Sequence, residues 1–268
     1  MPELPEVETV RRDVHALLVG RVIDHVEATG QRTVRRSSAD AVVWGSLGRT
    51  IVGTGRHGKW LWLDLEPAGK LYVHLRMSGQ LLWSASAAAR PRHTHMVLRS
   101  GSHELRFVDP RTFGEVVVLS GSEILADITR QGPDVLELPP NQWGSLFNTR
   151  RAVKTVLTDQ RSLAGIGNIY ADEIVHRAAI RPQRPSDTLS KPARVRLGEA
   201  AHAVLSAAIV ARGSSLSDLQ YVDLTGRPGS FQAEHRVHAR RGCLSCGGEV
   251  TRMVLAGRGT YFCRRCQR

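Results

Sequence analysis

No stretch of this 268-residue chain approaches the roughly 20 apolar residues that a membrane-spanning helix requires. The longest apolar stretch, residues 200–211, is broken by His202 and Ser206 and reads as a core helix. The N-terminus lacks a basic segment followed by an apolar one, so no secretory signal peptide is read. Cysteine is missing from the first 242 residues, and no internal repeat is visible. These absences predict a cytoplasmic protein. Negative charge is also short: 25 Asp and Glu stand against 37 Lys and Arg, a formal net charge of +12. A chain this basic is expected to meet a polyanion. Nucleic acid is the first reading, an anionic membrane surface the second, and a merely basic surface the remaining alternative. The length, with 41% hydrophobic residues, suffices for two medium domains or one with an appendage.

What cysteine there is falls in the last 26 residues, as Cys243-x-x-Cys246, sixteen residues, then Cys263-x-x-Cys266. Two such knuckles at ribbon spacing can bring four thiolates around one Zn²⁺. A disulfide pair is the competing reading, which a cytosolic setting disfavours. Four ligands leave no open position, so the metal is expected to be structural. A module of about 35 residues cannot bury enough apolar surface by itself, and metal supplies the missing stability. The module is strongly basic: residues 234–268 hold eight Arg and two Glu, half of the net charge. Arg258 stands between Gly257 and Gly259 near the apex of a predicted hairpin. That position suits close contact with phosphate, and a solvated turn Arg is the alternative.

Residues 5–19 carry Val7, Val10, Val14, Leu17 and Leu18 at helical spacing, with Gly20 as a stop. The pattern then changes to period two. Strands are predicted over 21–28, 50–54, 60–65, 71–77, 95–98, 104–108 and 115–119, which suggests a sandwich or barrel. The Ala/Ser-rich residues 84–92 read as a mobile loop. A boundary lies near Gly132-Pro133-Asp134. Beyond it, helices are predicted over 141–147, 151–158, 168–178 and 191–212, the last capped by Ser190. Residues 213–232 are Gly-rich and polar, as functional loops are.

The first eight residues read Met1-Pro2-Glu3-Leu4-Pro5-Glu6-Val7-Glu8. A small second residue favours loss of the initiator Met, leaving Pro2 as a free secondary amine. Such a group titrates near pH ~8, so part of it is neutral and nucleophilic in a cell. With Glu3 and Glu6 beside it, this is equipment for Schiff-base chemistry on an aldehyde or sugar carbon. The same residues also suit a plain helix start, with Pro in the first turn and acids complementing the dipole. From this segment alone the two readings stand level.

Six motifs, in order, decide between them: residues 2–8; Gly58-Lys59; His74-Leu75-Arg76-Met77-Ser78-Gly79; Asp109-Pro110-Arg111-Thr112-Phe113-Gly114; Gly165-Ile166-Gly167-Asn168-Ile169-Tyr170-Ala171-Asp172-Glu173; and Tyr261-Phe262-Cys263-Arg264-Arg265-Cys266-Gln267. With them the chain resembles, over essentially its whole length, the formamidopyrimidine-DNA glycosylase/endonuclease VIII family, and Leu4 favours the purine-repair branch. The resemblance implies a two-lobed α+β protein. An N-terminal helix and antiparallel β-sandwich form a catalytic domain (1–131). A helix-two-turn-helix domain with a lesion-capping loop follows (132–232), then a zinc finger (233–268), with DNA running between the lobes.

The resemblance also assigns roles. A base inside a duplex has to be flipped out to be reached, and Met77, Arg111 and Phe113 are implied to fill the hole. Adaptable Met, wedging Phe and hydrogen-bonding Arg suit that task, while core packing is the alternative for Met77 and Phe113. Lys59, His74, Asn168 and Arg258 are implied to grip phosphates. Asn168 opens a helix after Gly165-Ile166-Gly167, a place where backbone N–H groups meet phosphate. His93 and Arg150 are further DNA-contact candidates, with solvated loop residues as the alternative, and Lys154 is a candidate phosphate contact.

The implied chemistry starts with Pro2 as nucleophile at C1′. Glu3 is the proton donor, Lys59 and Arg258 assist two successive eliminations, and Glu6 holds Pro2 or the sugar. Damaged double-stranded DNA is the expected partner of a nucleoid-associated monomer. Zn²⁺, held by Cys243, Cys246, Cys263 and Cys266, is the expected metal, and the chemistry itself needs no cofactor. Two departures stand out. His238-Ala239-Arg240 replaces the family's frequent Tyr-Gly-Arg, and Leu219-Gln220-Tyr221-Val222 in the capping loop is idiosyncratic. An endonuclease VIII-like enzyme for oxidised pyrimidines and a non-catalytic zinc-ribbon DNA-binding protein are the rival readings.

Overall fold

The structure is a computed structural model that describes residues 1–216 and 221–268. The chain forms two compact units, Met1–Thr129 with Ala211–Ser230, and Arg130–Val210 with Phe231–Arg268.

The first unit begins with helix α1 (Leu4–Leu18). Its Val7, Val10, Val14 and Leu18 recur at three- and four-residue intervals and are all buried. Gly20, at φ +88°, follows the helix and lets the chain turn away. Eight strands then build two antiparallel four-stranded sheets: β1 (His25–Ala28), β2 (Thr50–His57), β3 (Trp60–Glu66), β4 (Gly69–His74), β5 (Gln80–Ala85), β6 (Thr94–Ser100), β7 (His103–Val108) and β8 (Glu115–Ser120). One sheet runs β2-β3-β4-β8 and the other β1-β6-β7-β5. Inward residues of both, including Leu61, Leu63, Val73, Leu81, Met96, Leu105 and Phe107, share one apolar core with α1. Two short helices, α2 (Ala39–Ser46) and α3 (Ala126–Thr129), complete the unit. The sandwich predicted from period-two patterning is therefore present. β4 stops at His74 rather than running on to residue 77, which leaves Met77 in a loop.

The 84–92 segment, read above as mobile, is held in place. Its first two residues finish β5, and the rest is tied by Arg106, which is 1% exposed. The Arg106 guanidinium donates to the carbonyls of Ala85, Ala88 and Ala89 and to Glu104. Arg90 in turn bridges Glu27 and Glu104. The small residues that suggested mobility allow the chain to fold closely around one guanidinium.

Residues 211–230 return from the helical half of the sequence to the first unit. Tyr221 and Leu224 join its apolar core, and Trp83 N donates to Leu224 O. Arg212 pairs with both Asp13 of α1 and Asp223.

The second unit holds a 3₁₀ turn at Pro140–Phe147, then α4 (Val153–Thr158), α5 (Asn168–Arg177), α6 (Lys191–Val210) and a hairpin of β9 (Val250–Leu255) and β10 (Arg258–Cys263). Ser190 Oγ accepts from Ala193 N at the start of α6. The apolar 200–211 stretch lies in α6 and beside its end, with Ala200, Ala201, Leu205 and Ala208 buried. The finger packs with the helices in this unit.

On α1, Glu8 receives Arg11, Arg12 and Arg56. Burial works to raise its pKa, but the hydrogen bonds of Arg11 and Arg12 and the field of Arg56 outweigh it and bring the pKa down to about 2. A carboxyl depressed in the folded state contributes stability above its ordinary value of 4.5, which is lost as pH falls towards 2. Glu8→Gln should therefore flatten the loss of stability between about pH 5 and 2, measured by urea unfolding. An unchanged acid limb would contradict this.

Candidate functional site

The candidate residues divide between the units. In the first, Pro2, Glu3 and Glu6 are all buried at the start of the chain. Glu3 N donates to Glu6 Oε2 at 2.8 Å, as in a capping box. The other oxygen, Glu6 Oε1, accepts from Ser214 N at 2.7 Å. One carboxylate thus fixes both the segment bearing Pro2 and the returning loop. Gly213 is required beside it: φ is +84°, and a Cβ there would sit 2.7 Å from Glu6 Oε1. Tyr221 OH also reaches Glu6 O at 3.5 Å, while Leu219 and Gln220 lie outside the described residues.

Lys59 follows the Gly58 turn between β2 and β3 and is 7% exposed. His74 ends β4, packed edge-on against Trp60 with ring centroids 4.8 Å apart. Burial, then the charges of Arg76 and Lys59, hold its pKa well below the usual value. Its Nδ1 accepts from Arg76 N at 3.0 Å, so the neutral ring keeps a proton on Nε2 as a donor. Arg76, Arg35 and Arg36 converge on the buried Glu115.

Met77, His93, Arg111 and Phe113 lie on three loops that one residue gathers. Asp109, wholly buried, accepts from Ser78 Oγ, from Arg111 N (3.2 Å) and from Gly114 N (2.7 Å), and its own N–H donates to His93 O (3.0 Å). Each loop also carries a non-glycine residue in the left-handed region: Arg76 (φ 51°), His93 (φ 66°) and Thr112 (φ 55°). A β-branched residue there is strained, and such strain persists only where the surroundings over-determine it. Phe113 is 45% exposed, with the Arg111 guanidinium 4.9 Å over its ring. Core packing is thereby excluded for Phe113. Asp109 was not singled out from the sequence, although an Asp two residues ahead of Arg111 in a Pro-containing turn is the signal for such a loop anchor.

In the second unit Arg258 opens β10, exposed, after a turn in which Ala256 and Gly257 have φ of 48° and 76°. A cavity of about 400 Å³ beside it is lined by Arg151, Lys154 and Arg258 among others. Asn168, first residue of α5, donates through Nδ2 to Gly259 O at 3.0 Å. Arg150 is an exposed residue just ahead of α4. Lys154 differs from expectation: it is 2% exposed, and its ammonium goes to Asp172 Oδ1 (2.7 Å), Thr260 Oγ1 (2.9 Å) and Gly259 O (3.2 Å). A buried lysine needs such partners, here one ion pair and two hydrogen bonds. It ties α4 to the hairpin instead of facing solvent.

Asp172 and Glu173 act alike, and neither was assigned a role from the sequence. Asp172 accepts from His238 Nδ1 (2.8 Å) and Tyr261 N (3.2 Å). Glu173 accepts from the backbone N–H groups of Arg236, Val237 and His238. Burial pushes its pKa up despite those three donors. The departure at 238–240 is visible here, since His238 supplies a ring nitrogen to Asp172 and Ala239 adopts φ 56°, a glycine-favouring conformation. The sulfurs of Cys243, Cys246, Cys263 and Cys266 lie within 4.8 Å of one another. The Gly248 N–H, then Cys266 and Cys263, pull the Cys246 thiol down to about 7. Four clustered thiols, two of them buried, fit one structural Zn²⁺.

Family descriptions match in the same order: the formamidopyrimidine-DNA glycosylase N-terminal domain over residues 1–116, its H2TH domain over 139–220, and a zinc finger found in FPG and IleRS over 243–268. The formamidopyrimidine-DNA glycosylase of Mycobacteroides abscessus is 40% identical, covering 100% of this chain and 98% of that protein. That of a Synechococcus species is 38% identical, covering 100% and 99%. The chain belongs to the formamidopyrimidine-DNA glycosylase family. Among solved members, Fpg from Thermus thermophilus superposes with a TM-score of 0.87 at 37% identity, over 99% of this chain and 98% of that one. Lactococcus lactis Fpg in complex with abasic-site DNA gives 0.89 at 31% identity, over all of both chains.

Asp109→Ala should release its loops. Amide exchange at Arg111 and Gly114 should quicken, because each loses its acceptor, while zinc content stays unchanged. Unaltered exchange at both would remove Asp109 from this role.

Proposed function

We propose that this DNA glycosylase of DNA repair excises oxidised purines, 8-oxoguanine and formamidopyrimidines, from duplex DNA and then cuts the strand through a Schiff base on Pro2. The observation that carries the reading is the buried Pro2-Glu3-Glu6 group at the start of α1, fastened by Glu6. An amine held among carboxyl groups in a buried setting has both its nucleophilicity and its proton transfers at hand.

With Met1 removed, Pro2 nitrogen attacks C1′ and the oxidised base leaves with the glycosidic electron pair. Glu3 protonates O4′, the deoxyribose ring opens, and C1′ becomes an iminium carbon. The iminium draws electrons from C2′, whose proton is lost as the 3′ phosphate departs. A second elimination then expels the 5′ phosphate. Lys59 assists the first elimination and Arg258 the second. His74, through Nε2–H, and Asn168 hold phosphates, with His93 and Arg150 as further contacts. Met77, Arg111 and Phe113 occupy the space that the flipped nucleotide vacates. Residues 214–229 cap the extruded base. The enzyme acts as a monomer in the cytoplasm on nucleoid DNA.

Complexes of Lactococcus lactis Fpg with abasic-site DNA and with Fapy-dG DNA support this assignment. A further complex of that protein holds oxidised-pyrimidine DNA, which favours a second reading in which such pyrimidines are substrates too. A panel of single-lesion duplexes separates the two. The reading expects 8-oxoguanine opposite cytosine to be excised faster than any oxidised pyrimidine, and the reverse order would overturn it.

Borohydride added to enzyme and lesion DNA should trap a covalent adduct that Pro2→Gly largely abolishes. No adduct with the unaltered enzyme would overturn the Schiff base on Pro2. Cys246→Ser should release zinc and weaken DNA binding by displacing the Arg258 hairpin, and full affinity without zinc would refute that link.

A further inference from the structure

Helix α5 presents residues 168, 172 and 176 along one face, since side chains four apart are stacked on a helix. Asn168 reaches Gly259 O and Asp172 reaches His238 and Tyr261. His176 reaches the metal-binding cluster itself: its Nε2 lies 3.4 Å from Cys243 Sγ. The ring is 7% exposed and stands outside the donor set, because the mutually close group comprises the four cysteine sulfurs alone. Four thiolates around one Zn²⁺ leave an excess of negative charge on sulfur, and buried excess charge requires donors. Cys246 has one from its own knuckle, Gly248 N at 3.4 Å. Cys243 faces the backbone N–H groups of Ser245 and Cys246 in its own knuckle, and α5, sixty-odd residues earlier in the chain, brings a ring nitrogen to the same sulfur.

We propose that His176 is an outer-sphere partner of the structural zinc, donating its Nε2–H to the Cys243 thiolate and so retaining the metal and fixing α5 to it. A hydrogen bond draws charge from the sulfur and makes it less basic and less nucleophilic. A proton, oxidant or chelator competing for that thiolate has to displace the hydrogen bond as well. Access makes this matter: His176 and Cys266 both line a cavity of about 640 Å³, through which small reagents reach this side of the cluster. Through the same helix, metal binding is registered with Asn168 and the Arg258 hairpin. The proposal rests on zinc occupying the four-cysteine site and not on the glycosylase chemistry.

The test is zinc transfer from the purified zinc-loaded protein to a chromogenic chelator, with His176→Leu and His176→Gln compared. Leucine fills the space without a donor. Glutamine places an amide N–H near the position of Nε2. Loss of an outer-shell partner typically costs ~10–100-fold in metal affinity, so His176→Leu should release zinc on the order of 10-fold faster, with His176→Gln close to the unaltered rate. In the cobalt-substituted protein, the thiolate-to-metal charge-transfer band should shift in the Leu variant and stay near its original energy in the Gln variant. If Leu holds zinc as well as His does, or if Gln loses it as fast as Leu, the ring acts by packing and the proposal is overturned. A Leu variant that loses its zinc during purification while Gln keeps it is the extreme form of the expected result, and loss from both overturns the proposal.

Discussion

A carboxylate taken out of water has to be hydrogen-bonded, and a loop whose backbone N–H groups point inward is the cheapest supplier. The segment bearing Pro2, the loop bearing Arg111 and Phe113, and the start of the finger each depend on this constraint. Glu6 accepts from Glu3 N and Ser214 N. Asp109 accepts from Arg111 N and Gly114 N, and Glu173 from three consecutive N–H groups at 236–238. Hydrogen bonds to a charged group contribute about 1.5–3 kcal/mol, more than neutral ones. Losing either side leaves a buried charge or an orphaned donor. The loops are therefore held in single conformations while their tips, Phe113 and Arg258, stay exposed.

The two units apply this device to different ends. In the first, the carboxylates sit where the chain must be rigid but strained, as the positive φ angles of Arg76, His93 and Thr112 show. Rigidity lets a side chain such as Phe113 project without collapsing into the core. In the second, Asp172 and Glu173 are adjacent on α5 and hold the finger from outside, alongside Lys154. The metal then fixes the finger from within, and Arg258 is placed by the hairpin that both supports share. Net positive charge supplies attraction to a polyanion, whereas the anchors determine where individual cations stand.

Much of this was legible in the sequence. α1 is visible as a 3.6-residue stripe, the sandwich as period-two strands, and the metal site as two knuckles. Other elements were not. β5 carries Trp83-Ser84-Ala85 into an Ala/Ser-rich tract, so its alternation is short and its end reads as loop. α2 buries only Val42 and Ser46, too few for a periodic stripe. The loop at 84–92 looks mobile until Arg106, twenty residues on, is seen to satisfy its carbonyls. Lys154 shows the limit for site residues: a lysine near a phosphate-binding motif and a lysine paired inside the protein look alike in one dimension. Asp109, Asp172 and Glu173 were present in the quoted motifs, but their partners are distant in the chain or are backbone atoms, which leave no pattern in side-chain spacing.

In the proposed mechanism the first amine of the mature chain performs the chemistry, held by Glu6 and served by Glu3. Proteolysis of the reduced protein–DNA adduct, with mass-spectrometric sequencing of the modified peptide, locates the covalent bond directly. The sugar remnant should lie on the peptide that begins at Pro2 and ends at Arg11, with Met1 absent. A remnant on Lys59, or an active enzyme that still carries Met1, would contradict it.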